Sequence, residues 1–144
     1  MTLPALRRSA LYTPGANPAV LLKAARSEAD VLIFDLEDAV APERKQEARD
    51  AVVRALADPG VAARTVVVRV NAIDTPWCED DVRAVAHARP AGILFPKIST
   101  PADVQQAEAM LGLFGVPRAT ALWCMVETPL AILNAPAMGH LALA

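Results

Sequence analysis

One unit recurs five times along the chain and constrains its fold more than any other feature: a short apolar run, then polar residues, then a proline that opens a helical pattern. Nearly uniform apolar runs are typical of parallel strands that are covered on both faces. Strands that alternate with helices in this way predict right-handed βαβ units and a parallel sheet, and therefore an α/β fold. The predicted strands are residues 10–13, 31–36, 65–70, 92–96 and 121–126.

Each proline suits the start of a helix. At the first helical position proline loses no needed N–H, and its fixed φ already matches the helix. The residue before it is often one that can cap the helix with a side-chain oxygen. We expect four such caps: Asn17, Thr75, Thr100 and Thr128.

Two architectures accommodate five such units. A flavodoxin-like sheet is complete with five strands and about the length of this 144-residue chain, whereas a (β/α)₈ barrel needs eight units and roughly 250 residues. Length alone favours the flavodoxin-like sheet. The polar groups that end nearly every strand favour the barrel, because all strand ends of one polarity ring a single mouth there. In the barrel interpretation, residues 1–144 form one domain with about five βα units that is incomplete at its C-terminal side.

Composition excludes several classes of partner. The chain has 14 Lys+Arg against 16 Asp+Glu, and this net charge of -2 gives no reason to expect nucleic acid. No apolar run reaches the roughly 20 residues that a membrane span needs. The basic pair near the start is not followed by an apolar stretch of the length found in a signal peptide. Cys78 and Cys124 have no metal-type spacing with each other or with the two histidines, so free thiols are expected. These features predict a cytoplasmic protein.

Carboxylates gather at the end of the second predicted strand. Glu37 and Asp38 follow the apolar run, and Asp35 shares the strand face of Glu37 while Asp38 points to the other face. A carboxylate cluster at a strand end can hold a hard cation or orient groups that do. Alternatively, one of these acids caps the next helix and the others pair with Arg44 or Lys45.

Three further charged residues lie at strand ends. Arg69 ends an apolar strand, where a guanidinium needs an anion: either a bound carboxylate or polarised carbonyl oxygen, or Glu37 or Asp38 in an ion pair between strands. Glu127 follows the longest apolar run, which favours metal ligation over a cap to the helix at Thr128-Pro129. Lys97 can attract a phosphate or carboxylate, or lie in solvent.

The order and spacing of five segments closely resemble the citrate lyase beta-subunit-like branch of the HpcH/HpaI aldolase family: RRSALYTPGAN, VLIFDLEDAV, VVVRVNAIDT, GILFPK and MVETP. The resemblance covers essentially the whole chain but only about the first half of a typical family member. It implies a (β/α)₈ barrel that handles citryl-CoA, malyl-CoA or a related thioester with Mg²⁺, usually as a homotrimer or another oligomer. We therefore expect a carbon–carbon lyase that acts on a CoA thioester of a small hydroxy acid and gives acetyl-CoA and a keto acid.

The resemblance also implies roles for individual residues. Glu127 would be a magnesium ligand, and Arg69 would contact the carboxylate of the acid and the reacting thioester oxygen. Glu37 and Asp38 would support the metal indirectly, by contacting the groups that bind it or through water. Three residues would lie near the coenzyme A or acid-binding region: Arg8, Ser9 and Lys97.

One departure from the family pattern leaves a second function open. Family members supply a second metal carboxylate from a Gly-rich, Asp-containing segment that would lie beyond Ala144. The alternative expectation is therefore a truncated, non-catalytic binding or assembly module whose open barrel edge pairs with another chain.

Overall fold

The computed structural model describes residues 6–141. Five strands form one sheet in the order β1-β2-β3-β4-β5, and all four neighbouring pairs are parallel. A flavodoxin-like sheet has its first strand inside the sheet, in the order 2-1-3-4-5, so that alternative is wrong. The α/β prediction with five βα units is confirmed, in the consecutive order that strands follow around a (β/α)₈ barrel. The strands are β1 (Ala10–Pro14), β2 (Val31–Asp35), β3 (Val66–Arg69), β4 (Gly92–Phe95) and β5 (Ala121–Cys124).

The helices begin mostly where the prolines predict. Asn17 and Thr100 accept hydrogen bonds at the starts of their helices, and Thr128 Oγ1 accepts one from the N–H of Ala131. Thr75 does not cap a helix, because its hydroxyl donates to the carbonyl of Ala72 and the helix starts later, at Cys78. The helices are α1 (Pro18–Ala24), α2 (Lys45–Leu56), α3 (Pro59–Ala62), α4 (Cys78–Ala86), α5 (Pro101–Leu113) and α6 (Pro129–Leu141), and a 3₁₀ turn (Pro42–Arg44) precedes α2.

The two faces of the sheet carry different clusters. Alternate strand residues, among them Phe34, Val68 and Phe95, pack against the helices and form the main core. The opposite face carries a smaller apolar cluster to which the described helices contribute no residue: Val31, Ile33, Val67 and Leu94, with Trp123 and Met125 beside them. Doubly wound sheets have helices on both faces, so helices on one face agree with the barrel-like order. Asp35 and Arg69 lie two residues beyond Ile33 and Val67, and so belong to this second face.

Gly15 ties the end of β1 to the end of β2. Its N–H donates to the carbonyl of Asp35 at 2.8 Å, and a Cβ added to Gly15 would lie 2.7 Å from that oxygen. Only glycine permits this close backbone approach. The contact brings the loop after β1 directly beside the carboxylates that follow β2.

The sheet ends in two exposed strands. β1 is largely exposed and β5 is exposed or half-buried, while β2, β3 and β4 are buried along their whole length. None of the described helices combines the length and apolar character that crossing a bilayer requires.

Candidate functional site

Five of the seven predicted site residues meet at the carboxyl edge of the sheet. Glu37 and Asp38 follow β2, Arg69 ends β3, Lys97 follows β4 and Glu127 follows β5. Ion pairs and one hydrogen bond connect them in a continuous chain of contacts. In a parallel sheet, side chains from different strand ends can thus act on one ligand.

Arg69 is held by Asp35, its direct partner in the register of β2 and β3. Arg69 Nε donates to Asp35 Oδ1 and Arg69 Nη2 donates to Asp35 Oδ2, both at 2.7 Å. Burial acts to raise the pKa of Asp35, but the hydrogen bonds from Arg69 and from backbone N–H groups outweigh it and hold that pKa below its usual value. The hydrogen bonds to Asp35 raise the pKa of Arg69 further. The guanidinium is therefore fixed in orientation and always charged.

The remaining nitrogen of Arg69 faces the other acids. Nη1 lies 3.1 Å from Glu37 Oε2 and 3.6 Å from Asp38 Oδ2, and the guanidinium stacks over the ring of Tyr12 at 5.1 Å. The inter-strand ion pair with Glu37 or Asp38 that the sequence left as an alternative is present, and Asp35, which the alternative did not name, binds Arg69 more closely. Tyr12 was not singled out from the sequence, although it lies two residues before the turn at Pro14-Gly15.

Glu37 lies between two cations. Its carboxylate is buried, with Oε2 against Arg69 and Oε1 2.9 Å from Lys97 Nζ. Neither oxygen has a hydrogen-bond partner of ideal geometry among the described residues, and the ion pairs with Arg69 and Lys97 hold this carboxylate in place. The contact with Glu37 raises the pKa of Lys97. Asp38, by contrast, has a side chain that is 72% exposed.

Glu127 holds the backbone of Lys97 in an unusual conformation. Glu127 Oε1 accepts a hydrogen bond from the Lys97 N–H at 2.8 Å. The backbone φ of Lys97 is 57°, in the left-handed region that residues other than glycine and asparagine seldom adopt. Thr128, rather than Glu127, caps the following helix. Lys97 therefore joins the two acids: its backbone binds Glu127 and its ammonium binds Glu37.

A cleft of about 270 Å³ opens beside these groups. Trp77 is half-buried in its wall, with Lys45 Nζ 5.3 Å from the centre of its ring. The remaining wall is formed by Glu37, Asp38, Val40, Pro42, Asn71, Thr75 and Lys97.

The alternative pairing of the acids with Arg44 or Lys45 is wrong. Arg44 pairs with Glu47, its neighbour on the next helical turn. Lys45 is buried and binds main-chain carbonyls and the amide oxygen of Asn71. The sequence analysis did not predict that Lys45 is buried. A lysine in the first turn of a helix is a signal that could have indicated a special role, because the helix dipole disfavours a cation there.

Arg8 does not join the other five residues. It precedes β1 and pairs with Asp30, which precedes β2, so both lie at the amino edge of the sheet. The hydrogen bonds from Arg8 lower the pKa of Asp30 to about 2. Ser9 lies there too, and its hydroxyl accepts the N–H of Asp30. Arg8 therefore forms a structural ion pair at the amino edge, away from the charged residues at the carboxyl edge.

Few side chains at the carboxyl edge can act as metal ligands. Among the described residues, no group of three or more His, Cys, Asp or Glu side chains is placed to hold a metal ion by itself. Both cysteines are free thiols, and burial raises the pKa of Cys78 to about 12, which makes it a poor nucleophile or ligand. Metal ligation at this edge would use one or two carboxylates together with a bound acid and water.

Comparisons with known proteins agree on one family. The sequence model described as HpcH/HpaI aldolase/citrate lyase matches residues 8–141. The chain is 44% identical over 128 residues to the (3S)-malyl-CoA thioesterase of Cereibacter sphaeroides strain ATCC 17025, covering 89% of this chain and 43% of that protein. It is 37% identical to the citrate lyase subunit beta of Escherichia coli K12, covering 93% of this chain and 46% of that protein.

A solved structure supports the same assignment. The protein CitE from Mycobacterium tuberculosis, in complex with magnesium, acetoacetate and coenzyme A, is 33% identical and superposes with a TM-score of 0.70. The match covers 92% of this chain and 45% of that chain. The chain thus spans less than half the length of each of these three relatives.

Proposed function

Because the chain belongs to the HpcH/HpaI aldolase/citrate lyase family, we propose that it carries the acid-binding part of a magnesium-dependent carbon–carbon lyase site. The substrate would be a CoA thioester of a small hydroxy acid, of the citryl-CoA or malyl-CoA type. We propose further that residues 1–144 are the first five βα units of a (β/α)₈ barrel.

One observation carries this proposal: a fixed guanidinium, an ammonium and an exposed carboxylate meet at the carboxyl edge. Asp35 fixes Arg69, so that Nη1 is the part of the guanidinium that faces Glu37 and Asp38. Lys97 adds a second positive charge 2.9 Å from Glu37. Arg69 Nη1 and the Lys97 ammonium would each donate to the carboxylate of an organic acid, and a bound Mg²⁺ would offset the negative charge of the neighbouring carboxylates.

The side-chain atoms at this edge that can bind a metal suit Mg²⁺. They are all carboxylate oxygens, and the two buried oxygens of Glu37 lack directed hydrogen bonds. Mg²⁺ usually binds through one or two carboxylates and keeps several waters or substrate oxygens, so a cage of three protein ligands is not needed. We assign direct ligation to Glu127, with Glu37 and Asp38 in contact through water. The ion would supply Lewis-acid polarisation of the oxygens of the acid.

The reaction breaks the bond between the hydroxyl-bearing carbon and the carbon next to the thioester carbonyl. The hydroxyl loses its proton and its carbon becomes the carbonyl of a keto acid. The electron pair of the broken bond stays on the thioester fragment as an enolate, which takes up a proton and becomes acetyl-CoA. Arg69 Nη1 would donate to the oxygen on which negative charge develops, and a fixed donor needs little reorganisation at that moment.

The products of one incubation test this function. Malyl-CoA or citryl-CoA is incubated with the protein and Mg²⁺, and the products are separated by chromatography and identified by mass. We expect acetyl-CoA and a keto acid, and loss of turnover when EDTA removes Mg²⁺. Free CoA with the intact hydroxy acid would instead indicate hydrolysis, the reaction in the name of the Cereibacter relative.

A second candidate function rests on the exposed edges of the sheet. Large apolar side chains are exposed near both edges, among them Leu11 and Tyr12 on β1 and Leu130 and Leu133 on α6. We propose on this ground that the chain associates through its edges, as a homo-oligomer or with another chain. Binding of the CoA thioester without any product would favour a non-catalytic binding or assembly module over the lyase.

A further inference from the structure

Lys45 is a buried cation, and no carboxylate of residues 6–141 lies within hydrogen-bond distance of it. Its Nζ donates to the carbonyl of Leu36 at 2.7 Å, to the carbonyl of Glu37 at 2.8 Å and to Asn71 Oδ1 at 2.7 Å. All three acceptors are neutral, and the residue is 5% exposed. Burial of an ammonium is costly, so three short hydrogen bonds from one lysine call for a physical reason.

Helix formation does not supply that reason. Lys45 is the first residue of α2, and a positive charge at a helix N-terminus opposes the helix dipole. Burial also lowers the pKa of Lys45, although Asp81 and Asp35 act in the opposite direction. A residue with less burial and no charge would serve the helix better.

The acceptors of Lys45 are themselves held firmly. Asn71 Nδ2 donates to Leu36 O at 2.9 Å and to Asp81 Oδ2 at 2.5 Å, and the Asn71 N–H donates to the same carboxylate oxygen. Asp81 is fully buried and is paired with Arg49 at 2.7 Å. The network therefore anchors Lys45, at the start of α2, to α4 and to the residues that follow β2 and β3.

The effect of Lys45 falls on the backbone of Glu37. Leu36 and Glu37 lie in the bend that follows β2, and the carbonyls of both residues accept hydrogen bonds from Lys45 Nζ. On its other side, the Glu37 N–H donates to Asp35 Oδ1 at 2.9 Å. The backbone of Glu37 is thus held at both its N–H and its carbonyl, while its carboxylate has no directed hydrogen bond of its own.

We propose that Lys45 is a positioning residue: by gathering the carbonyls of Leu36 and Glu37, it places the Glu37 carboxylate between Arg69 and Lys97. Lys45 acts through Glu37 and touches neither the acid nor the metal. The placement stands on the geometry alone, whereas its consequence for turnover rests on the proposed lyase function.

The first test is the crystal structure of Lys45→Met, which keeps the length of the side chain and removes its donors. We expect the Leu36–Glu37 peptide to turn and the Glu37 carboxylate to move by about 1 Å or more, beyond the ion-pair range of about 4 Å from Arg69 or Lys97. A Glu37 carboxylate that keeps both contacts would overturn the proposal. If Lys45→Met does not fold, Lys45→Leu, which also removes every donor, is measured in the same way and is judged by the same contacts.

Arg64→Met is the matched control. Arg64 is also a cation that binds main-chain carbonyls, those of Ala25, Ser27 and Ala29, but it precedes β3 and lies at the amino edge of the sheet. Its removal costs hydrogen bonds of the same kind without touching the backbone of Glu37. Glu37 is expected to stay in place in this variant.

Kinetics separate positioning from general damage. With malyl-CoA and Mg²⁺, we expect Lys45→Met to lower kcat about 10- to 100-fold with KM within about twofold of the unaltered chain, because a misplacement of about 1 Å is enough for such a loss. Arg64→Met is expected to keep both constants. Equal losses in the two variants, or unchanged kcat in folded Lys45→Met, would contradict the positioning role in turnover. An unaltered chain without turnover would contradict the lyase proposal instead, while the position of Glu37 would still decide the inference.

Discussion

Replacement of Arg69 by methionine is expected to lower the free energy of unfolding by about 3–5 kcal/mol. The variant leaves the carboxylate of Asp35, with a side chain only 3% exposed, without the guanidinium that now binds both of its oxygens. An uncompensated buried charge accounts for most of this loss. Urea unfolding of the unaltered and variant chains, followed by circular dichroism, measures the difference.

The double variant Arg69→Met with Asp35→Leu is the control for this prediction. Replacing both members of a buried ion pair with apolar residues removes the uncompensated charge, so the double variant should regain part of the lost stability. The recovery is partial because the N–H groups of Glu37 and Ala39 lose Asp35 as their acceptor. Glu37 would still have Lys97 as its partner. Both variants are expected to lose turnover, because the donor for the developing negative charge is absent. A single variant that loses less than about 1 kcal/mol would show that the pair is well solvated.

Replacement of Glu127 by glutamine is expected to lower turnover at a fixed, low Mg²⁺ concentration by about 100-fold or more. Metal assistance of this kind contributes several kcal/mol, and about 3 kcal/mol corresponds to about 100-fold in rate. The amide oxygen of glutamine can still accept the N–H of Lys97, so the left-handed backbone there should persist. The measurement is the Mg²⁺ dependence of turnover, with Mg²⁺ binding followed by calorimetry.

Glu127→Ala separates the two roles of this residue. It removes both the charge and the acceptor for Lys97, so it should lose about 1 kcal/mol of stability in addition to turnover. If the glutamine variant binds Mg²⁺ and turns over as the unaltered chain does, then Glu127 is only an acceptor for the backbone of Lys97.

Local patterns in the sequence predicted the elements of the fold but not their neighbours. Apolar runs and prolines specify strands and helix starts because these depend on nearby residues, as the caps at Asn17 and Thr100 show. Thr75 failed as a cap because its hydroxyl closes a local turn with Ala72 instead. Strand order and the face that helices cover depend on packing between distant segments. Length therefore favoured the wrong architecture, whereas the positions of the polar strand ends and the family resemblance indicated the consecutive order.

The site could be predicted as a set of residues but not as a set of contacts. Parallel strands bring their carboxyl ends together, so Glu37, Arg69 and Glu127 were expected to meet. Three acids lie within reach of Arg69, and only the register of β2 and β3 selects Asp35 as its main partner. Position before or after a strand decides the edge, which separates Arg8 from the rest even though it belongs to one of the family-like segments.

We propose that the carboxyl edge of the sheet binds a divalent ion together with an organic acid. Mn²⁺ accepts the same oxygen ligands as Mg²⁺ and broadens nearby NMR signals, so a ¹⁵N-labelled chain titrated with Mn²⁺ and acetoacetate tests this claim directly. The strands separate the two edges by roughly 15 Å. We predict strong broadening of the amide signals of Glu37, Lys97 and Glu127 and much weaker broadening of those of Ser9 and Asp30, because the effect falls steeply with distance from the ion. Broadening centred on Ser9 and Asp30, or equal at both edges, would contradict the account.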